Sequence, residues 1–561
     1  MASSILSGTS SSGPRRDDGR ETDPLIPVEE NRGYLCGLDT FISKLRRQYG
    51  WKLLVLIWAC QQMTTGFVRV LGGKNGATLY LLGDYTTPAA TVSMYQSAIN
   101  TVWSLAPVIG LVSDALPING YNKAPYVMMT SCLALIASSS LWVVPESSMS
   151  VKVAVVCIFV IMLQVVTADA CTTGAYTKKV SKRSGLGADL MIYVSMGCEA
   201  CGFLAGVTSG FVIEDIGAKA CYGICVLPIL VCLVVASLGF YEEEQATVDR
   251  TAGIRKLFWE QKEVGGLSIL MCIAAIFISF VNVESSNVDV NGALAWTAAM
   301  SLLVSLSLLL TPALAKMSVF AILFNAANLN IDAALFYFYT DQEAAFPDGP
   351  HFTATFYNSV RAPLWSASGM LGIYLYKRYM KEWPYRKQAV LSNLLFGSAL
   401  LLDLIIVLRV NLRIGISDHA FFLLATVVHS ITYQWQRMPF RVCFLYLCPS
   451  HMETTVYALL NGCSDFGGSL GLSLGAVLLS GLQITPDSTV GDASRLKNLP
   501  MGITAAAAGP ILAVLLLQQL IPDASPNEHL VDDAVAGSLL SSLNDRSPAK
   551  QQSEGLSAST A

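Results

Sequence analysis

Runs of about twenty apolar residues recur between Trp51 and Ile521, separated by short loops that hold most of the charge. A run of that length, wound as a helix, matches the hydrocarbon thickness of a bilayer, and a helix satisfies its own backbone hydrogen bonds there. Composition points the same way. Of 561 residues 53% are hydrophobic and only 14% charged, whereas a soluble domain carries about 25% charged residues. Too little polar surface remains to coat a soluble body of this length, so lipid is an expected partner. Lys and Arg lie scattered in the loops, with no basic patch, which excludes a nucleic-acid partner of the usual kind. Five scattered histidines, with no Gly-rich phosphate loop and no Gly-x-Ser-x-Gly elbow, give neither an enzyme constellation nor a cofactor site. The 14 cysteines sit mostly inside apolar runs, where they act as small packing residues. Cys198-Glu-Ala-Cys201 spells CxxC without a second pair, so no metal site is expected.

Apolar length and loop chemistry predict about fourteen spans, with twelve as the alternative count. Residues 1–50 read as a disordered cytoplasmic tail. It contains Glu21-Thr-Asp-Pro-Leu25-Ile26, the spelling of an acidic dileucine sorting signal. Six spans over 51–240 form an N-terminal bundle, starting near 51–83, 92–113, 125–145, 151–174, 188–213 and 219–240. A charged cytoplasmic linker covers 241–264. An extra helix pair occupies 265–317, with spans near 265–284 and 292–314. Six more spans fill 318–521, starting with 318–341 and 352–377, and a second disordered cytoplasmic tail covers 522–561. Lys178, Lys179, Lys182 and Arg183 follow the fourth span, and Lys377, Arg378, Lys381, Arg386 and Lys387 the tenth. Loops expected on the other face, such as 83–90, 145–150 and 341–350, contain no Lys or Arg. The positive-inside rule therefore places both termini in the cytoplasm. The expected class is all-α: a polytopic membrane protein of two six-helix bundles plus an inserted pair, with its site near the midplane between them.

The stretch 107–126, PVIGLVSDALPINGYNKAPY, joins the second and third spans. Gly110 permits close helix approach, Asp114 sets a carboxylate where the helix leaves the membrane, Gly120 supports a tight turn, and Lys123 brings the opposite charge. The four are read as a gate. The stretch resembles the loop between helices two and three of major facilitator transporters, although ordinary turn chemistry also explains much of it.

Later motifs narrow the resemblance. Arg437-Met-Pro439-Phe is followed by Leu447-Cys448-Pro449-Ser-His-Met-Glu453-Thr-Thr. With Gly415-Ile-Ser-Asp418 and Phe346-Pro-Asp-Gly-Pro350, this is similar to the folate–biopterin transporter family of the major facilitator superfamily, in its protozoan, trypanosomatid-like form. Pro439, Cys448, Pro449 and Glu453 are the positions that carry the likeness. The resemblance implies a major facilitator fold and secondary transport of a folate or pterin. The chain departs from the pattern at Thr173, where family members resemble an Asp followed four residues later by Glu; here Asp169 stands without that Glu.

A charge at the centre of a membrane helix costs at least ~2.5–3.5 kcal/mol, so it usually faces a cavity or a partner. The candidates for substrate binding are Lys74, Asp169, Glu199, Arg361 and Arg437. Asp332 and Asp465 are also intramembrane; Asp403 and Arg441 read as structural or interfacial. A pterin ring offers an amino group beside a ring N–H, which a carboxylate such as Asp169 or Glu199 accepts bidentately. A folate tail adds two carboxylates, which suit Lys74, Arg361 and Arg437. Tyr337, Phe338 and Tyr339, with Tyr433 and Trp435, can stack on the ring, although an interfacial belt is the favoured reading of the first three. Low-dielectric burial in general links carboxylates to protons, so Asp169 or Glu199 can couple proton movement to substrate. Alternatives are another amphoteric metabolite such as S-adenosylmethionine, or a non-transporting receptor of the same fold. A plasma membrane is the expected location, with an endolysosomal or other organelle membrane as the alternative.

Overall fold

The structure is a computed structural model. It describes residues 34–521 apart from 78–79, 82–84, 86–94, 96–98, 183–186, 244–261, 285–287, 342, 344–345, 348, 354–355, 448–452 and 485–495. The dileucine string, most of the charged linker, the C-terminal tail, and Cys448 and Pro449 lie outside the described residues. The chain divides into two compact units, Met1–Lys44 and Leu45–Ala561. Within the first, the described residues are helical from Tyr34.

The second unit is a stack of long helices. Helix α1 is Trp51–Ile57, continued by the wider-turned Trp58–Gly76. Helix α2 is Thr101–Leu105 running into Ala106–Ala115, and α3 is Ala124–Val143. Then come α4 (Val151–Lys182), α5 (Gly187–Asp215) and α6 (Ala220–Ser237). Helices α7 (Lys262–Glu284) and α8 (Val288–Leu309) follow. The later helices are α9 (Pro312–Ala327), α10 (Asp332–Thr340), α11 (Arg361–Leu375, entered through Phe356–Val360), α12 (Tyr385–Val407), α13 (Asp418–Tyr446), α14 (Glu453–Gly481) and α15 (Leu499–Leu517). Nine helices among the described residues are long and apolar enough to cross a membrane by themselves. Helix α13 falls short because it carries His429, Gln434, Gln436, Arg437 and Arg441 along one segment, and these face inward rather than lipid.

Lipid-facing surfaces are apolar: Ile136, Val143, Phe211, Leu227, Leu308 and Leu516 are all exposed. Helix α7 lies against α2 and α14, and α8 against α9 and α14. The Cys272 thiol of α7 donates to the Ser104 carbonyl at 2.9 Å. In the interior, α1 and α5 come almost into backbone contact. A Cβ at Gly66 would lie 2.5 Å from the Cys198 carbonyl, and one at Gly197 2.0 Å from the Gln62 amide.

Three expectations need correction. The span expected near 318–341 is two helices. Asn328, Leu329 and Asn330 break it, and the Asn330 N–H donates to the Gly471 carbonyl at 3.2 Å. Gly467, Gly471 and Gly475 clear the path: a Cβ at Gly475 would sit 2.0 Å from the Asn330 carbonyl. Unwound backbone is tolerated at membrane depth when a neighbour satisfies it. Helix α4 runs on to Lys182 rather than stopping at 174, because its basic last turns leave the bilayer still wound. Phe338 and Tyr339 are no interfacial belt: they are buried in an aromatic cluster with Phe352 and Phe422.

Candidate functional site

Between the helices lies a set of charges that stays open to solvent despite its depth. Arg69, Lys74 and Asp332 are exposed; Asp169, Glu199, Arg361, Arg437, Arg441 and Asp465 are half-buried. Lys74 lies within electrostatic reach of Arg361 and Asp332 on the later helices. A wet interior cavity is the physical way to hold such charges inside a bilayer.

The carboxylates sit halfway along their helices. Asp169 Oδ1 accepts from Gln61 Nε2 at 2.8 Å and from the Thr65 hydroxyl at 3.4 Å. Gln61 Nε2 also reaches the Thr173 hydroxyl, at 3.3 Å. One amide therefore bridges Asp169 to the position where a second carboxylate would stand. Glu199 Oε1 accepts from Gln434 Nε2 at 2.6 Å, which joins α5 to α13 and so the first half to the second. A Cβ at Gly369 would fall 3.1 Å from the Glu199 carboxyl and 3.2 Å from Gln434 Nε2, so a side chain there would crowd this pair. Asp465 of α14 interacts electrostatically with Arg437, Arg69 and Asp169.

The cations lie against rings. Arg69 stands 4.9 Å from the Trp103 ring. Arg361 donates to the Tyr357 hydroxyl at 2.6 Å and lies 5.0 Å from the Tyr357 ring and 5.9 Å from the Trp365 ring. Arg437 donates to the Tyr433 hydroxyl and is 5.4 Å from that ring. Trp365 and Tyr433 meet at 5.7 Å. Arg361, Trp365, Tyr433 and Arg437 thus form a continuous ladder of planar groups, each able to take a flat aromatic ligand.

The structure brings Asp169, Glu199 and Arg437 together with Asp465 and Arg69. It sets Lys74 and Arg361 apart with Asp332, toward the end of the molecule that carries the 145–150 and 341–350 loops, where Lys219 and Arg409 also lie. The Trp51–Lys74 segment is 24 residues long, on the order of 30 Å of helix, so Lys74 is at the far end of α1 and Arg361 opens α11. Arg441 donates to the Ser195 hydroxyl at 3.1 Å, across the halves. Asp403 is buried and accepts from the Tyr339 hydroxyl at 3.0 Å. Trp435 Nε1 is engaged by the Gly372 carbonyl at 2.9 Å. Helix α13 stays continuous through Pro439, which is buried in it. Glu453 begins α14.

The stretch after α2 closes as a small hairpin. Ile118 and Tyr121 exchange backbone hydrogen bonds at 2.9 and 3.0 Å. Asn119 (φ 52°) and Gly120 (φ 82°) occupy the two left-handed positions of that turn. Gly110 is buried and its carbonyl accepts from the Ser113 hydroxyl at 2.8 Å. Lys123 Nζ meets Asp114 Oδ1 at 3.0 Å. The Lys123 and Ala124 N–H groups donate to the Glu243 carboxylate at 2.9 and 3.3 Å, capping α3. Burial pushes the Lys123 ammonium down, but the charges of Asp114 and Glu243 outweigh it and its pKa is raised. At the same face Lys179 and Lys52 hold Glu242, at 2.7 and 3.7 Å, and the Lys179 hydrogen bond lowers the Glu242 pKa. Lys381 pairs with Asp189, tying the end of the second half's α11 to the start of α5.

Sequence reasoning passed over Gln61, Gln434, Trp103 and Trp365, and left Arg69 out of the binding set. The first four carry no charge, so insertion cost does not flag them. Only their partners in space do.

Residues 72–535 match the model of the BT1 family. Among curated relatives, "Probable folate-biopterin transporter 2" of Arabidopsis thaliana is 24% identical over 528 residues, covering 91% of each chain. "Folate-biopterin transporter" of Synechocystis sp. (strain ATCC 27184 / PCC 6803 / Kazusa) is 24% identical over 78% of this chain and 76% of its own. "Folate transporter 1" of Plasmodium falciparum (isolate 3D7) is 20% identical over 81% and 77%. A solved structure titled as the peptide transporter POT in complex with sulfate overlays with a TM-score of 0.55 at 12% identity, over 85% of this chain and 99% of that one. The likeness shows the fold alone, the all-helical major facilitator fold expected from the sequence.

Proposed function

The chain belongs to the BT1 family and is a membrane transporter, and we propose that its cargo is a folate or pterin, moved by secondary transport linked to protons. The observation that carries this reading is the carboxylate pair on amides. Asp169 is held by Gln61 and Thr65, and Glu199 by Gln434. Each keeps acceptor capacity for the amino and ring N–H groups of a pterin. The Trp365–Tyr433 pair offers a face for the ring. The relatives bearing the names quoted above support the same cargo. Among the described residues the direct hydrogen-bond partners of both carboxylates are neutral, with Arg441 and Arg69 acting on them from farther off, so a proton can come and go without breaking a direct ion pair.

Asp114, Lys123, Gly110 and Gly120 act in this reading as the cytoplasmic gate, with Lys381–Asp189 joining the halves at the same face. The two six-helix bundles then rock about the cavity, as secondary transporters do. The protein works at the plasma membrane. Uptake of labelled folate, biopterin and S-adenosylmethionine, in cells lacking their own carriers and at two external pH values, tests this. A fluorescent fusion at the cell surface is the companion readout. Saturable folate or biopterin uptake that rises at the lower pH is expected. Uptake of S-adenosylmethionine alone, or of none of the three by protein at the surface, overturns the cargo.

A further inference from the structure

Five cations fall in the short stretch where α11 ends and α12 begins: Lys377, Arg378, Lys381, Arg386 and Lys387, with Glu382 among them. The chain here leaves the regular α-helix. Tyr376–Met380 is a wide turn, closed by the Lys381 N–H on the Tyr376 carbonyl at 3.0 Å, and Pro384 then precedes α12. The turn encloses a recess of about 390 Å³ whose lining comes from 374–383 and whose rings are Tyr374, Tyr379 and Trp383.

Part of the positive charge is already spent. Lys381 is on Asp189, Arg386 donates to the Ile521 carbonyl at 2.9 Å, and Lys377 has a contact of its own. Arg378 and Lys387 are exposed, and each lies over a ring of the recess. The Arg378 guanidinium is 5.8 Å from the Tyr379 ring and Lys387 Nζ is 4.1 Å from the Trp383 ring. Even with Lys377, Lys381 and Arg386 all counted as neutralised, Arg378 and Lys387 outnumber Glu382. The side chains leading to the recess are ordered along one face of α11. Leu371, Tyr374 and Arg378 follow one another at helical spacing and all three are exposed. Leu371 and Arg378 are two turns apart, on the order of 10 Å. Apolar, aromatic and basic groups thus succeed one another toward the helix end, the order in which a phospholipid presents its chains, its glycerol region and its phosphate.

We propose that this recess binds the headgroup of an anionic phospholipid of the surrounding bilayer, its phosphate against Arg378 and Lys387 and its chains along Leu371 and Tyr374. The Tyr379 and Trp383 rings hold the two cations in place beforehand, so less side-chain freedom is lost on binding. Arg378 offers the planar fork that phosphate oxygens accept from. An interfacial belt would by itself explain exposed rings, but it would not select lipids by charge. The site is separate from the interior charges and does not depend on the cargo.

Calorimetric titration of the purified full-length protein in neutral detergent tests this, with short-chain phosphatidic acid, short-chain phosphatidylcholine and inorganic phosphate as the three arms. Wild type should bind phosphatidic acid saturably and at least ~10-fold more tightly than the other two. Arg378→Gln and Lys387→Gln should each weaken phosphatidic acid ~5-fold, and together about 25-fold, one cation's share apiece. Arg378→Lys should keep most of the affinity. Glu382→Gln should tighten binding, which a variant that merely misfolds cannot do. Equal binding of the two lipids, undiminished binding by the double variant, or no lipid binding at all overturns the site. Inorganic phosphate bound as tightly as phosphatidic acid overturns the bilayer as the source of the ligand.

Discussion

The face that carries the Asp114–Lys123 turn and the interior between the helices treat their charges in opposite ways. At the face, cations and carboxylates are paired: Lys123 with Asp114, Lys381 with Asp189, Lys179 and Lys52 with Glu242. In the cavity, carboxylates sit on amides and hydroxyls, and the Arg69, Arg361 and Arg437 cations sit on rings. Paired charges hold a shape, because separating them exposes both. Charges held by neutral partners keep part of their capacity for a ligand. On the function proposed above, the comparison divides residues expected to set which state the transporter occupies from residues expected to recognise what it carries.

The largest effect expected from breaking this division is at Asp169. Asp169→Asn removes the acceptor at the centre of the cavity and should lower uptake of folate and biopterin alike by ~100-fold, the loss of a charged bidentate contact. Surface labelling should show the variant delivered as well as wild type. Next comes the tie between the halves. Asp189→Asn should loosen this contact and raise labelling of a cysteine placed near Tyr446, while ligand affinity changes by less than about threefold. The charge-reversed pair, Asp189→Lys with Lys381→Asp, should restore protection. No change in labelling would count against that gate.

Asp114→Asn is expected to act in the same direction but more weakly. Lys123 keeps the Glu243 carboxylate on its own N–H, so α3 stays capped. A shift of about threefold in labelling is the expected size for a partly exposed pair. Smaller still is Glu146→Gln. The Glu146 carboxylate has a lowered pKa, from its own backbone hydrogen bond and then from Lys219, 3.1 Å away. Its contribution is present above the unfolded-state value and fades as pH falls through the lowered folded one. On the surface it should change stability by under ~1 kcal/mol, read as a melting shift that vanishes in acid.

Much of this division can be read from the sequence, and the limits have a physical cause. Membrane helices and their order follow from apolar length, because the bilayer tests each segment alone. The Asp114–Lys123 encounter is legible since nine residues and a turn separate the two. The break at 328–330 is harder to see. Its backbone is satisfied by Gly471, well over a hundred residues on, and only the spacing of Gly467, Gly471 and Gly475 hints at an approach. Gln61 and Gln434 are invisible for a related reason: an amide inside an apolar run looks like a minor polar lapse until the carboxylate it serves is placed beside it. The sorting of Lys74 and Arg361 away from Arg437 depends on depth, which follows once helix ends are fixed.

Ligand-induced thermal stabilisation, measured side by side on wild type, Asp169→Asn and Asp189→Asn, tests the division most directly. A ligand that binds the folded state raises its melting temperature by mass action. Folate and biopterin should stabilise wild type and Asp189→Asn to a similar extent and leave Asp169→Asn unmoved. Full stabilisation of Asp169→Asn, or its loss in Asp189→Asn with the fold intact, would contradict the assignment of recognition to the cavity and of state to the paired face.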